Sequence, residues 1–229
     1  MYPTTQEKAA IQAAEKLMND TMARYDPSHD AYHVERVRKT ALNLAHSLPN
    51  GAQPDLLVIE IAALLHDVLD KKYVTPAEAA DPYAFFLPFF RSIAEQPAGV
   101  DLVADGRARL IANVIENVSW TTEKKLRAEG RWTEWHETCR ELHCVQDADR
   151  LDAIGAFGIM RCAAFSSVTN RPLHAPPGRT DTAVEHFYDK LLHIQDRLKT
   201  EPGKKMGAKR HQLMLDFLEA IKEESDEAR

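Results

Sequence analysis

Pro54-Asp55-Leu56-Leu57-Val58-Ile59-Glu60-Ile61-Ala62-Ala63-Leu64-Leu65-His66-Asp67-Val68-Leu69 decides the fold class of this chain. The run is apolar nearly all the way round a helical projection, so a helix buried on every side is expected rather than a surface helix. Its far end carries His66 and Asp67, with Asp70 following. Charged side chains in such a setting are costly unless their charge is compensated, and a cation is the simplest compensation. Adjacent helical residues point about 100° apart, yet both can reach one ion in the groove between this helix and its neighbours. Imidazole with carboxylate suits a borderline transition metal better than calcium. Asp70 comes four residues after His66, one turn along the same face. It can stand beside an ion without ligating it, the position a general acid or base needs.

A second stretch has the same character: Gln146-Asp147-Ala148-Asp149-Arg150-Leu151-Asp152-Ala153-Ile154-Gly155. Asp147, Asp149 and Asp152 cannot all face solvent on a helix that also buries Val145, Ala148, Leu151 and Ile154. Asp149 and Asp152 are three apart and share a face. Ordinary alternatives stand beside both stretches. His66-Asp67 can be a helix-end histidine at the negative end of the dipole with a capping Asp, and the Asp run can be a polar stripe with Arg150 as its ion-pair partner. His29-Asp30 is a third His-Asp pair, but it sits in a turn and reads as local helix-start chemistry.

The rest of the chain is helical in pattern. Thr5 to Arg24 has Ile11, Ala14, Leu17, Met18 and Met22 at helical spacing, with Thr4 or Thr5 as N-cap. Tyr32 to Leu48 is a second helix, ended by Pro49-Asn50-Gly51. After Asp70-Lys71-Lys72 an irregular region is expected to about Gly106, because Pro76, Pro82, Pro88 and Pro97 interrupt it. Helices follow over Arg107 to Val118 and Thr133 to Ala153. A bend is expected at Gly155 and Gly158, then a short apolar piece from Ile159 to Phe165 and a long loop over Ser166 to Arg179. Val184 to Leu198 and Gly207 to Glu224 close the chain as helices. No segment alternates with period two and no internal repeat is seen. The fold class is therefore all-α, a single domain over 1–229 with its core at about 25–165 and C-terminal helices at about 182–225 packing on it.

Composition agrees. The 229 residues are 44% hydrophobic and 28% charged, with only 9 glycines, a balance that favours helix over sheet. The formal net charge of −6 leaves no electrostatic footprint for a nucleic-acid polymer. A nucleotide substrate stays open, since a local cluster of cations and metal outweighs a global sign. Three cysteines give no disulfide framework and point to reduced thiols. Met1 to Thr5 leads straight into a polar amphipathic pattern with no apolar signal core. The most apolar window, Ala84 to Phe90, is far shorter than the roughly 20 residues of a spanning helix. A soluble, cytoplasmic protein with no membrane partner is expected.

Ordered in this way, the residues resemble the HD-domain metal-dependent phosphohydrolases, whose pattern is a His, then His-Asp, then a distant Asp. His33 in His29-Asp30-Ala31-Tyr32-His33-Val34-Glu35-Arg36-Val37 matches the first His. His66-Asp67 matches the pair and Asp149 in Ala148-Asp149-Arg150-Leu151 the last Asp. More narrowly, the run from Val145 to Ala156 and His186-Phe187-Tyr188-Asp189-Lys190-Leu191-Leu192 are similar to a bacterial and fungal subgroup of small nucleotide pyrophosphohydrolase-like proteins. The resemblance implies an HD-domain helical bundle and one divalent ion, manganese, iron, magnesium, nickel or cobalt, held by His33, His66, Asp67 and Asp149. It implies Asp70 as the catalytic acid or base. Asp147, two residues from Asp149, competes with it for the place of last ligand and is assigned a position beside the ion without touching it. The implied activity is cleavage of nucleoside triphosphates to monophosphate and pyrophosphate. A 5′-nucleotidase or phosphodiesterase of the same superfamily, and a catalytically silent nucleotide-binding HD module, are the alternatives.

With one ion, leaving-group charge must be met by cationic side chains. Arg36, one turn from His33, is assigned to phosphate contact with Lys71, Arg150 and Lys190; His186 shares with Lys190 a face of the penultimate helix. His136, Cys139 and His143 fall at helical spacing with Cys144 adjacent. Zinc ligands are usually spaced around turns or knuckles, so these read as a histidine-rich helix face. Trp120, Trp132, Trp135 and the Phe85 to Phe90 run read as core or interface, with a homodimer surface around Phe85-Phe86 as an option.

Overall fold

The structure, a computed structural model, describes residues 2–23, 30–49, 51, 53–69, 74–75, 80–97, 99–176 and 178–227. Among them are eleven α-helices and no strand, as the all-α expectation requires. The described residues up to Gln146 form one compact unit and those from Asp147 onward a second.

In the first unit α1 (Thr5–Met22) starts on a capping box. The Thr4 hydroxyl accepts from the Glu7 N–H at 3.2 Å while the Glu7 carboxylate accepts the Thr4 N–H at 2.7 Å. In α2 (Ala31–His46) Asp30 caps, accepting from the His33 N–H at 2.9 Å. In α3 (Leu56–Leu65) Asp55 caps, accepting from Leu57 and Val58. All nine residues from Leu57 to Leu65 are buried, and α3 packs against α1 and α2. Each fully buried Leu, Val or Ile there contributes about 1.5–3 kcal/mol. Glu60 is tolerated in this helix because the Arg38 guanidinium and the Tyr2 hydroxyl both donate to its carboxylate.

The expected continuation of α3 to Leu69 is not made; residues 66–69 form a turn. The His66 ring bonds the Ala63 carbonyl, one of the last carbonyls that a helix end leaves without a helical donor.

The irregular Pro-rich region contains a helix, α4 (Pro82–Ala94). Pro82 stands in its first turn, where a missing N–H costs nothing, and Asp81 caps it by accepting from Ala84 at 2.9 Å. Pro88 removes one bond within the helix. Phe86, Phe90 and Ile93, spaced four and three apart and buried, supply the packing that outweighs that loss. Of the pair around which a dimer surface was an option, Phe86 is only 1% exposed and Phe85 is half-buried.

Next comes α5 (Arg107–Asn117), which packs on α3 and α4, then α6 (Trp120–Ala128), which sequence reasoning missed and which Ser119 caps. The single helix expected over Thr133 to Ala153 is two, α7 (Glu134–Thr138) and α8 (Arg140–Asp152). Cys139 between them is extended at ψ 103°. The Glu141 carboxylate, in the first turn of α8, accepts the backbone N–H of Asp55 at 2.8 Å and the Cys139 thiol. A bond across that sequence distance leaves no mark on the local pattern. The division between the units falls within α8.

In the second unit, α9 (Gly155–Val168), α10 (Ala183–Asp189) and α11 (Glu201–Glu227) pack together. Gly155 makes the expected bend at φ +75°, and a Cβ there would meet the Arg210 side chain at 2.9 Å. The apolar piece after it is longer than expected, running to Val168. Beyond α10 the expected helix to Leu198 breaks at Lys190 into two 3₁₀ turns, Leu191–His193 and Gln195–Arg197. The last helix begins six residues before Gly207, since the Thr200 hydroxyl caps it by accepting the Gly203 N–H at 3.0 Å. Pro202 falls in its first turn, where proline is tolerated. Among the described residues no single helix is long and apolar enough to cross a membrane.

Candidate metal centre

α2 and the end of α3 bring three of the expected ligands together inside the first unit. His33, 1% exposed, comes from the first turn of α2, whose geometry Asp30 sets by capping its backbone N–H. Its Nε2 lies 3.4 Å from Asp67 Oδ2. The Nε2 of His66 lies 3.4 Å from the same oxygen. The two rings meet edge-on, centroids 5.4 Å apart.

One bond fixes which nitrogen of the His66 ring donates. Its Nδ1 is 2.7 Å from the Ala63 carbonyl, which can only accept, so the ring proton sits on Nδ1. In the neutral ring Nε2 then carries a lone pair, and it faces Asp67. This is how metal-binding histidines are usually held, one nitrogen tied to a carbonyl and the other offered to the ion. The spacing also fits a cation. Donors about 2.1 Å from a common ion lie about 3.0 Å apart at octahedral angles and about 3.4 Å apart at tetrahedral ones. Two imidazole nitrogens and a carboxylate oxygen are a donor set that a first-row divalent metal accepts.

The other expected residues are placed as follows. Arg36 stands half-buried on α2, one turn beyond His33. Asp70 and Lys71 lie outside the described residues. Asp149 is half-buried on the part of α8 that belongs to the second unit. Asp147, on the same segment, is wholly buried. Its carboxylate accepts the N–H of Lys199 at 2.9 Å and both the N–H and the hydroxyl of Thr200 at 2.7 Å. A Cβ on Gly203 would lie 2.5 Å from its Oδ2, so glycine makes room for it. Burial holds the Asp147 carboxyl above the usual carboxylate range, and the Thr200 and Lys199 donors pull the other way. Arg150 is 5% exposed and donates to the Arg197 carbonyl at 2.8 Å. Lys190 is exposed at the end of α10, and burial, with Lys190 and Arg171 adding, holds the His186 ring below its ordinary value.

The Ala63 carbonyl, Thr200 and Lys199 were missed as partners. The three-residue spacing from Ala63 to His66 was a signal for the first; nothing local announces the other two.

The histidine-rich face holds no zinc set. Nδ1 of His136 accepts from the Thr133 N–H at 3.0 Å and its Nε2 donates to Asn117 Oδ1 at 3.2 Å. Nε2 of His143 donates to the His136 carbonyl at 2.8 Å. Cys139 Sγ donates to Glu141, and burial pushes this thiol up to about 11.

Comparison with known proteins identifies the family. The model of the HD domain family matches residues 30–154, which takes in both stretches and His33. The uncharacterized protein YpgQ of Bacillus subtilis is 30% identical over 201 residues, 86% of this chain and 84% of that one. Its crystal structure in complex with ADP superposes with a TM-score of 0.65 at 25% identity, covering 92% of this chain and 97% of that one. An HD-superfamily hydrolase of Bacillus thuringiensis gives a TM-score of 0.70 at 27% identity, over 96% of this chain and 98% of the other. The match over more than half its length, a span that takes in His33, His66-Asp67 and Asp149, makes this chain a member of the HD-domain family.

Proposed function

We propose that the protein is a divalent-metal-dependent phosphohydrolase that cleaves nucleoside triphosphates to monophosphate and pyrophosphate. The observation that carries this is His66, whose Nδ1 proton is committed to Ala63 while Nε2 and His33 Nε2 converge on one Asp67 oxygen. His33, His66 and Asp67 hold the ion, with Asp149 as fourth ligand from its place in the ordered family pattern. Asp147 acts at one remove, fixing the segment of α8 that carries Asp149 by binding Lys199 and Thr200. A nucleotide as substrate is supported by the relative crystallised with ADP.

When bound, the ion supplies Lewis acidity for a phosphoryl oxygen and for the attacking water. Asp70 takes the proton of that water or returns one to the leaving oxygen. Arg36, Lys71 and Lys190 neutralise phosphate charge, with Arg150 contributing less because part of its guanidinium already serves Arg197.

Metal-stripped protein reloaded with manganese is offered nucleoside mono-, di- and triphosphates, and products are separated by chromatography. Monophosphate with pyrophosphate, absent in Asp67→Ala, is expected. Nucleoside with phosphate would replace this activity by that of a nucleotidase. No metal-dependent turnover of any nucleotide would sink the proposal.

A further inference from the structure

The second unit contains a cavity of about 530 Å³, within the roughly 300–1,000 Å³ of ligand pockets. Its walls are Ile159 and Ala163 of α9, Phe187 of α10, and Phe217 and Ile221 of α11. Phe187 and Phe217 pair with centroids 5.8 Å apart and form an aromatic side. The loop before α10 supplies Leu173, which is 58% exposed although it borders this apolar space. That loop is fastened. The Pro172 and Leu173 carbonyls accept the N–H groups of Ala183 and Val184, the first donors of α10, at 2.9 and 3.1 Å.

Glu224 and His174, both exposed to solvent, and the half-buried Ser225 complete the lining and mark its open side. The Ser225 hydroxyl is already donated to the Ile221 carbonyl at 2.7 Å. No cation pairs with Glu224 among the described residues, so its carboxylate is the negative group at the opening. The net charge of −6 adds to that preference.

We infer that this cavity is a binding site for a small apolar amine, its hydrocarbon or aromatic body between Phe187 and Phe217 and its ammonium group at Glu224. Binding covers Leu173 and is independent of the metal centre and of the proposed reaction. None of the residues involved belongs to the metal-binding pattern.

The full-length protein is titrated with 3-phenylpropylamine, 3-phenylpropanol and 3-phenylpropionate, three molecules alike in body and different in charge, and binding is read by saturation-transfer NMR. The amine is expected to bind about threefold more tightly than the alcohol, the scale of one exposed charge pair, and the carboxylate most weakly. Glu224→Gln is expected to bring the amine to the level of the alcohol. Ala163→Phe, which fills the cavity, is expected to abolish binding of all three, with circular dichroism checking the fold. Leu173→Ser, at an exposed position, is expected to weaken all three and decides the matter if the first variant does not fold. No binding by any of the three, amine binding untouched by a folded Ala163→Phe or, where that variant does not fold, by Leu173→Ser, or a carboxylate that binds as well as the amine would each overturn the inference.

Discussion

The end of α3 and the short helix α7 each bury a histidine to the same 8% exposure, and they use it in opposite ways. His136 has both ring nitrogens engaged by neutral protein groups, Thr133 on one side and Asn117 on the other, with Trp132 stacked on its face at 4.3 Å. His66 gives one nitrogen to a carbonyl and turns the other to a carboxylate that His33 also faces. Burial alone therefore does not distinguish a structural histidine from a ligand. What distinguishes them is whether the second nitrogen finishes its valence on a neutral partner or meets concentrated negative charge that a cation can share.

The same contrast separates two aspartates. Asp147 is closed on N–H and hydroxyl donors, whereas Asp67 is faced by imidazole nitrogens, one of which has its proton elsewhere. The first arrangement is complete with protein alone. The second has the composition of a metal site.

The sharpest break of this comparison comes from replacing His66 or the carboxylate it faces. His66→Ala or Asp67→Ala is expected to lose bound metal and activity by more than the roughly 10–100-fold that loss of an outer partner costs. Metal analysis of the purified variants beside turnover checks it; a variant that keeps stoichiometric manganese would undo the assignment. Asp147→Ala is expected to cost on the order of 3 kcal/mol in a urea melt, because it leaves buried donors at Lys199 and Thr200 without an acceptor. Glycine at 203 stays tolerated in that variant, and a melt no different from wild type would show the clamp to be dispensable.

His136→Ala is expected to cost about 1–3 kcal/mol of stability while metal content stays at the wild-type level. A drop in metal there would erase the distinction between the two histidines. The smallest effect concerns Cys139. Its raised thiol keeps its proton in the folded state while the unfolded chain, near 9, has begun to lose it. The native state then binds more protons, so this contribution to stability is complete below pH 9 and declines as pH rises toward 11. A thermal melt series from pH 8 to 10.5 is expected to fall less steeply in Cys139→Ala than in wild type. Native wild-type Cys139 should also resist DTNB at pH 8.

Much of this was legible before any coordinates. The apolar circumference of Leu56 to Leu65 meant a buried helix, because no orientation of it hides less than the whole surface. Caps announced themselves at Thr4 and Asp30, since a short polar side chain before an apolar run satisfies the first N–H groups. His66-Asp67 stood out because charge at the end of such a helix needs an explanation.

Other features could not be seen from the chain's own order. The break at Cys139 depends on Glu141 meeting Asp55, 86 residues away, and the helical period is the same on both sides of it. Asp147 looks like its neighbour Asp149 until Thr200, 53 residues on, takes its carboxylate. The α4 helix survives Pro88 only because Phe86, Phe90 and Ile93 find a core to enter. Periodicity and capping are short-range and are written in adjacent residues. Which polar group satisfies which is settled by long-range contact, and there the fold alone shows the Asp147 carboxylate closed on Lys199 and Thr200.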